Sequence, residues 1–165
     1  MRFVGPAELR GLDGRGLDEL LAHSGALIGF GDEEVSGTAA AALLFCDFAV
    51  LRANASLRID TAEAWAGAAW RLGRKTLTLF LRETQIAPEE AHRLGLCDDV
   101  TDADAEEWRE RWMAGRSDQA LDSAAALIRL RGGDRLERAE FARLFATGTP
   151  GEGLGAFLEK RKAEW

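Results

Sequence analysis

One stretch limits what this chain can fold into more than any other: residues 37–60, from Gly37-Thr38-Ala39-Ala40-Ala41-Ala42-Leu43-Leu44-Phe45-Cys46-Asp47 to Ile59-Asp60. It opens on Ser36-Gly37-Thr38, where glycine tolerates unusual backbone angles and Ser or Thr can cap a helix. The alanine and leucine run behind this turn is apolar on every face, which predicts a short buried helix. After Cys46-Asp47 the pattern becomes strand-like, with Phe48, Val50 and Leu51 and then Leu57 and Ile59 in alternation. A glycine turn feeding a buried helix leaves backbone N–H groups unpaired at the positive end of the helix dipole, where negative charge is stabilised.

The 165 residues suffice for one core, and 47% hydrophobic content without a long uncharged apolar run predicts a soluble protein. Met1 to Pro6 lacks the apolar centre of a signal peptide, so a cytoplasmic location is expected. A net charge of −7 argues against nucleic acid as the main partner. Cys46 and Cys97 lie in apolar contexts without metal-ligand spacing and read as small core residues, so no metal is expected. Richness in Ala, Arg, Gly and Leu suggests a GC-rich bacterial source.

In chain order, Met1–Gly16 reads as an irregular, glycine-punctuated arm, Leu17–His23 as one or two helical turns, and Ala26–Phe30 as a buried strand. Asp32-Glu33-Glu34 reads first as a solvated loop; of the three, Glu34 is the best candidate for an acid or base, being nearest the turn. Trp65 and Trp70 are read as core or interface aromatics, and 74–82 as an amphipathic helix. Pro88 begins the next helix. From Thr101 onward the chain is read as helical: Asp102 or Asp104 caps a helix through Met113, Ser117 or Asp118 starts another that ends at Gly132-Gly133, and Asp134 starts a third with Leu136, Phe141, Leu144 and Phe145. Thr149, with Pro150 next and Glu152 at the third position, has the form of a capping box. Trp108, Trp112, Phe141 and Phe145 offer apolar surface for a neighbouring subunit.

Three blocks together resemble the crotonase (enoyl-CoA hydratase/isomerase) family: Gly37 to Ser56, Ala87 to Leu96 with its Glu90-Ala91…Gly95-Leu96, and Glu152 to Lys162 (Glu-Gly-Leu-Gly-Ala-Phe-Leu-Glu-Lys-Arg-Lys). The resemblance runs from about Gly25 to Trp165. It implies an α/β, crotonase-like (ClpP/crotonase) spiral core over 1–100, truncated at its N-terminus, and a C-terminal helical trimerisation region over 101–165, in a single structural domain. It also implies an acyl thioester ligand, of coenzyme A or a carrier, with no other cofactor, and assembly into trimers or hexamers.

By the same resemblance, Gly37 and Thr38 stand at the oxyanion-donating turn, with the N–H of Thr38 as donor, and Lys160, Arg161 and Lys162 are candidates for contacting the coenzyme A nucleotide. A basic helix end complementing the dipole is the equal alternative for those three. The second oxyanion donor falls in the portion expected to be missing, and the two glutamates of a hydratase fall at Ala41 and Thr61, neither of which can transfer protons at neutral pH. Asp60 and Glu63 flank the second position, and Asp60, one residue off along an extended segment, is expected on the opposite face. Ordinary hydration is therefore not expected. Open are an acyl-thioester lyase, isomerase or decarboxylase, a catalytically empty homologue partnering a second crotonase-like or biosynthetic chain, and a scaffold.

Overall fold

The computed structural model describes residues 1–81, 84–130 and 142–164, which fall into two compact units. The larger comprises Arg2–His23 and Leu27–Trp108. Its first strand, β1 (Arg2–Val4), is followed by helices α1 (Pro6–Gly11) and α2 (Gly14–Leu21), so the segment read as an irregular arm is a strand and two short helices. Proline takes the first turn of α1, where no N–H is needed, and Asp13 caps α2 by accepting from the N–H of Gly16 at 2.8 Å.

Strand β2 (Leu27–Gly31) is buried along its whole length, as a strand covered on both faces must be. Short β3 (Glu34–Val35) leads into helix α3 (Gly37–Phe45), whose residues 40–44 are fully buried, as its uniform apolarity requires. Strands β4 (Phe48–Arg52) and β5 (Ser56–Arg58) follow, then helix α4 (Ala62–Leu72), a 3-10 helix over Gly73–Leu81, β6 (Gln85–Ile86), α5 (Pro88–Leu94) and β7 (Asp99–Thr101). One sheet runs β1-β2-β4-β7, all parallel, with Ile28 opposite Phe48 and Val50 opposite Asp99. The second runs β3-β5-β6, parallel then antiparallel.

Helix α3 lies between the first sheet and α4. Two glycines set those distances. A Cβ on Gly29 of β2 would stand 2.8 Å from Cys46 Sγ, and one on Gly67 of α4 would stand 2.7 Å from Leu44 Cβ. At its C-terminal end α3 is clamped by Arg71. The guanidinium donates from Nε to the carbonyl of Leu44 (2.9 Å), from Nη2 to that of Cys46 (2.7 Å) and from Nη1 to Asp98 Oδ2 (3.0 Å). A cation there answers both the unpaired carbonyls and the negative end of the helix dipole. Asp98 also accepts from the N–H of Ala49, and Asp47 from that of Leu27, so both carboxylates tie loop to sheet. Cys46 and Cys97 are buried, as expected of small core residues.

The first turn of α6 (Ala105–Met113), capped by Asp104 through the N–H groups of Glu106 and Glu107, brings Trp108 into this unit. Trp108 is not an interface aromatic: it is 2% exposed, lies among Phe3, Phe30 and Phe48, and donates from Nε1 to Asp99 at 2.8 Å. A buried indole needs such an acceptor.

The smaller unit comprises Met1, Ser24–Ala26 and Arg109–Trp165. Asp122 on α7 (Asp118–Leu130) accepts from the N-terminal ammonium and from the N–H of Ala26. Helix α8 (Thr149–Glu159) starts from Gly148 in the left-handed region, without a side-chain cap. The capping box expected of Thr149 is not formed: its hydroxyl donates to Gln119, and Glu152 holds Arg161 instead. The helix expected from Asp134, with Leu136 and Phe141, falls largely outside the described residues, although 142–146 are helical.

Candidate active site

The glycine turn is built as the sequence suggests, but closed differently. Ser36 is extended (φ −139°, ψ 169°) and makes no side-chain cap. Gly37 has φ +57°, a left-handed conformation that favours glycine. The first bond within α3 runs from the N–H of Ala40 to the carbonyl of Ser36, at 3.2 Å. The N–H groups of Thr38 and Ala39 have no hydrogen-bond partner among the described residues. They sit where a helix leaves its donors unpaired and its dipole is positive.

The N–H of Gly37 is taken by a carboxylate. It donates to Asp60 Oδ1 at 3.0 Å. The expectation that Asp60 faces the opposite way is thus overturned: β5 ends at Arg58, so alternation no longer governs residue 60, and the chain turns its side chain to the start of α3. Thr61 caps α4 by accepting from the N–H of Ala64, and Ala41 is fully buried, with its carbonyl 3.3 Å from where a Cβ on Gly67 would stand. The two positions assigned to hydratase glutamates thus hold a helix cap and a core methyl group.

Beside the turn opens a cleft of about 220 Å³ lined by Arg10, Leu12, Glu34, Ser36, Thr38 and Ala39. Glu34 is half-exposed and pairs with Arg58 at 3.3 Å, while Arg10 pairs with Asp32. Glu34 and Thr38 therefore line one cleft, and Gly37 stands between two of its lining residues without lining it. Arg10 and Leu12 line it too, without a sequence expectation, and Asp60, which alternation places on the other face, holds the neighbouring Gly37 N–H. Pro6 at the head of α1 was a legible signal for the first two; Asp60 had only its place before a capping threonine.

Lys160, Arg161 and Lys162 follow α8 in the smaller unit. Lys160 closes the helix in a left-handed conformation (φ 53°). Arg161 is committed to carboxylates, donating to Glu152 Oε1 and Oε2 (2.6 and 2.9 Å) and to Glu159 (2.7 Å). The guanidinium and the N–H of Glu164 hold the Glu152 carboxyl down to about 2. Lys160 and Lys162 are exposed. Among the described residues no group of three or more His, Cys, Asp or Glu side chains is placed to hold a metal. No helix among them is long and apolar enough to cross a membrane.

The chain has the crotonase fold, with its buried helix entering from a glycine turn and packed on a parallel sheet. Solved structures bear this out. The chain is similar to an enoyl-CoA hydratase from Polaromonas sp. JS666 (25% identity, TM-score 0.73, covering 91% of this chain and 66% of that one). It is also similar to an enoyl-CoA hydratase/carnithine racemase from Magnetospirillum magneticum (21%, 0.74, 92% and 63%) and to an enoyl-CoA hydratase from Bacillus anthracis (20%, 0.70, 96% and 73%). Coverage of 90–96% exceeds what residues 25–165 supply, so the likeness extends to residues before Gly25. The chain spans less than two thirds of the length of several of these proteins (63–66%). No family model and no curated protein matches the sequence.

Proposed function

We propose that this chain binds an acyl thioester at the start of α3, with the thioester oxygen on the N–H of Thr38, and that it does not hydrate enoyl thioesters. The observation that carries this reading is the pair of partnerless N–H groups, Thr38 and Ala39, beside an open cleft at the positive end of a buried helix. Ala41 and Thr61 leave no carboxylate at the two positions hydration requires. Chemistry that needs only polarisation of the carbonyl, such as isomerisation or decarboxylation through an enolate, fits better. Lys160 and Lys162 are proposed contacts for a coenzyme A nucleotide. Assembly into trimers or hexamers, in the cytoplasm of a bacterium, belongs to the same proposal.

Asp60 favours a second reading, a catalytically empty homologue that pairs with an active chain. Its carboxylate already neutralises part of the helix start and opposes a second negative charge beside it. Isotope-edited infrared spectroscopy of bound butyryl-CoA, with calorimetry, separates the two. A thioester carbonyl band shifted to lower frequency supports the first reading. Binding without that shift supports the second, and absence of binding refutes both. Enzyme-like hydration of crotonyl-CoA would overturn the exclusion of hydratase activity.

A further inference from the structure

The 3-10 helix over Gly73–Leu81 is built as an outward-facing platform. In a 3-10 helix, side chains three apart eclipse one another, so its surface divides into three ridges. One ridge, Thr76 and Leu79, is buried. Exposed side chains on the other two are alike in order: Arg74 precedes Leu77 on one, and Lys75 precedes Leu81 on the next, with Leu77 67% and Leu81 90% exposed. Trp70, 51% exposed, precedes them on α4. Nine residues is long for this helix type, and no acid occupies its first turn. Two cations sit instead at its positive end, where local stability disfavours them. Neither makes an ion pair among the described residues. From Leu72 to Leu81 the sequence has two cations, Arg74 and Lys75, and no acid, in a chain of net charge −7.

The platform also leads to the site. Three residues beyond Leu81, the carbonyl of Thr84 accepts from the N–H of Ile59, and the next residue, Asp60, holds the N–H of Gly37. Cations beside exposed leucines and an indole complement an acidic, amphipathic protein helix.

We propose that this platform docks an acidic helical carrier protein, so that the thioester offered to the α3 cleft is carrier-bound; this substrate class rests on the thioester reading above. The test titrates wild type and the Arg74→Glu/Lys75→Glu variant with butyryl-loaded acyl-carrier protein, unloaded carrier protein, butyryl-CoA and phosphatidylglycerol vesicles, at low and at physiological salt. Both substituted side chains are exposed, and unchanged thermal unfolding verifies the variant's fold. Expected is wild-type binding of the carrier that weakens with salt and falls about tenfold or more in the variant, while butyryl-CoA binding is unchanged. Carrier binding that ignores the charge reversal, no carrier binding at all, or tighter binding to vesicles than to carrier overturns the proposal. If loaded and unloaded carrier bind equally, both sensitive to the variant, and butyryl-CoA does not bind, docking stands and the thioester reading falls.

Discussion

Arg71 offers the sharpest perturbation of the scaffold beneath the site. Its side chain is 8% exposed and makes three charge-assisted bonds, two to carbonyls at the end of α3 and one to Asp98. Hydrogen bonds to charged groups contribute about 1.5–3 kcal/mol each, but those of one guanidinium act together and do not add. Removing one member of a buried pair costs about 3–5 kcal/mol; here Asp98 is 34% exposed, so most of such a cost falls on the two carbonyls left without a donor. Arg71→Ala is therefore expected to lose about 3–5 kcal/mol, a large part of the 5–15 kcal/mol typical of a domain. Arg71→Lys keeps the charge at the negative end of α3, yet an ammonium cannot reproduce the planar fork that spans Leu44, Cys46 and Asp98. It should lose at least one such bond, about 1.5–3 kcal/mol. Urea unfolding followed by tryptophan fluorescence measures both, with the slope unchanged if only native contacts are lost. The loss should depend only weakly on salt, since two of the three bonds go to neutral carbonyls and only the Asp98 end of the third, 34% exposed, is open to screening. An Arg71→Lys protein within about 0.5 kcal/mol of wild type would refute the clamp.

Gly37→Ala isolates backbone conformation, because a Cβ there meets nothing within 4 Å; the left-handed φ alone should cost about 1–2 kcal/mol in urea unfolding. Burial, above all, pushes the Cys97 thiol from 9.0 up to about 12, with Arg71 pulling the other way. The neutral thiol is thus favoured in the folded state, and its contribution to stability is complete below about pH 9 and lost as pH rises toward 12. Iodoacetamide should accordingly label Cys97 in urea and leave it intact in buffer at pH 8. For Glu152, lowered from 4.5 to about 2, the sign is opposite: its stabilisation is present above about 4.5 and disappears as pH falls through 2. An NMR titration of the Glu152 carboxyl checks this, and Arg161→Gln should return the midpoint toward the ordinary range.

How far the sequence could be read depended on whether a signal was long enough to outweigh its surroundings. Residues 37–51 are legible because seven apolar positions (39–45), an opening glycine and a following apolar run from Phe48 to Leu51 agree on one helix and one strand. The first sixteen residues were not: a three-residue strand and a six-residue helix carry too few positions to establish a period, and their order comes from β2 and α3 packing on them. Asp60 was missed because alternation was carried two residues past the end of β5. The periodicity over 74–82 reads as an amphipathic helix, and Thr76 and Leu79 face inward at an interval of three, the 3-10 spacing. At Trp108 a helical position beside charged residues looked like surface, yet only the sheet's own aromatics, Phe3, Phe30 and Phe48, explain where the indole goes.

Gly29 and Gly67 carry a last consequence, for how this chain can change. With β2 drawn against one flank of α3 and α4 against the other, the helix has no slack in which a longer side chain could settle. Returning a glutamate to position 41 would wedge the two walls apart before any water was activated. New reactivity is more accessible at the rim, where residues 10, 34 and 60 can vary without disturbing the masonry behind them.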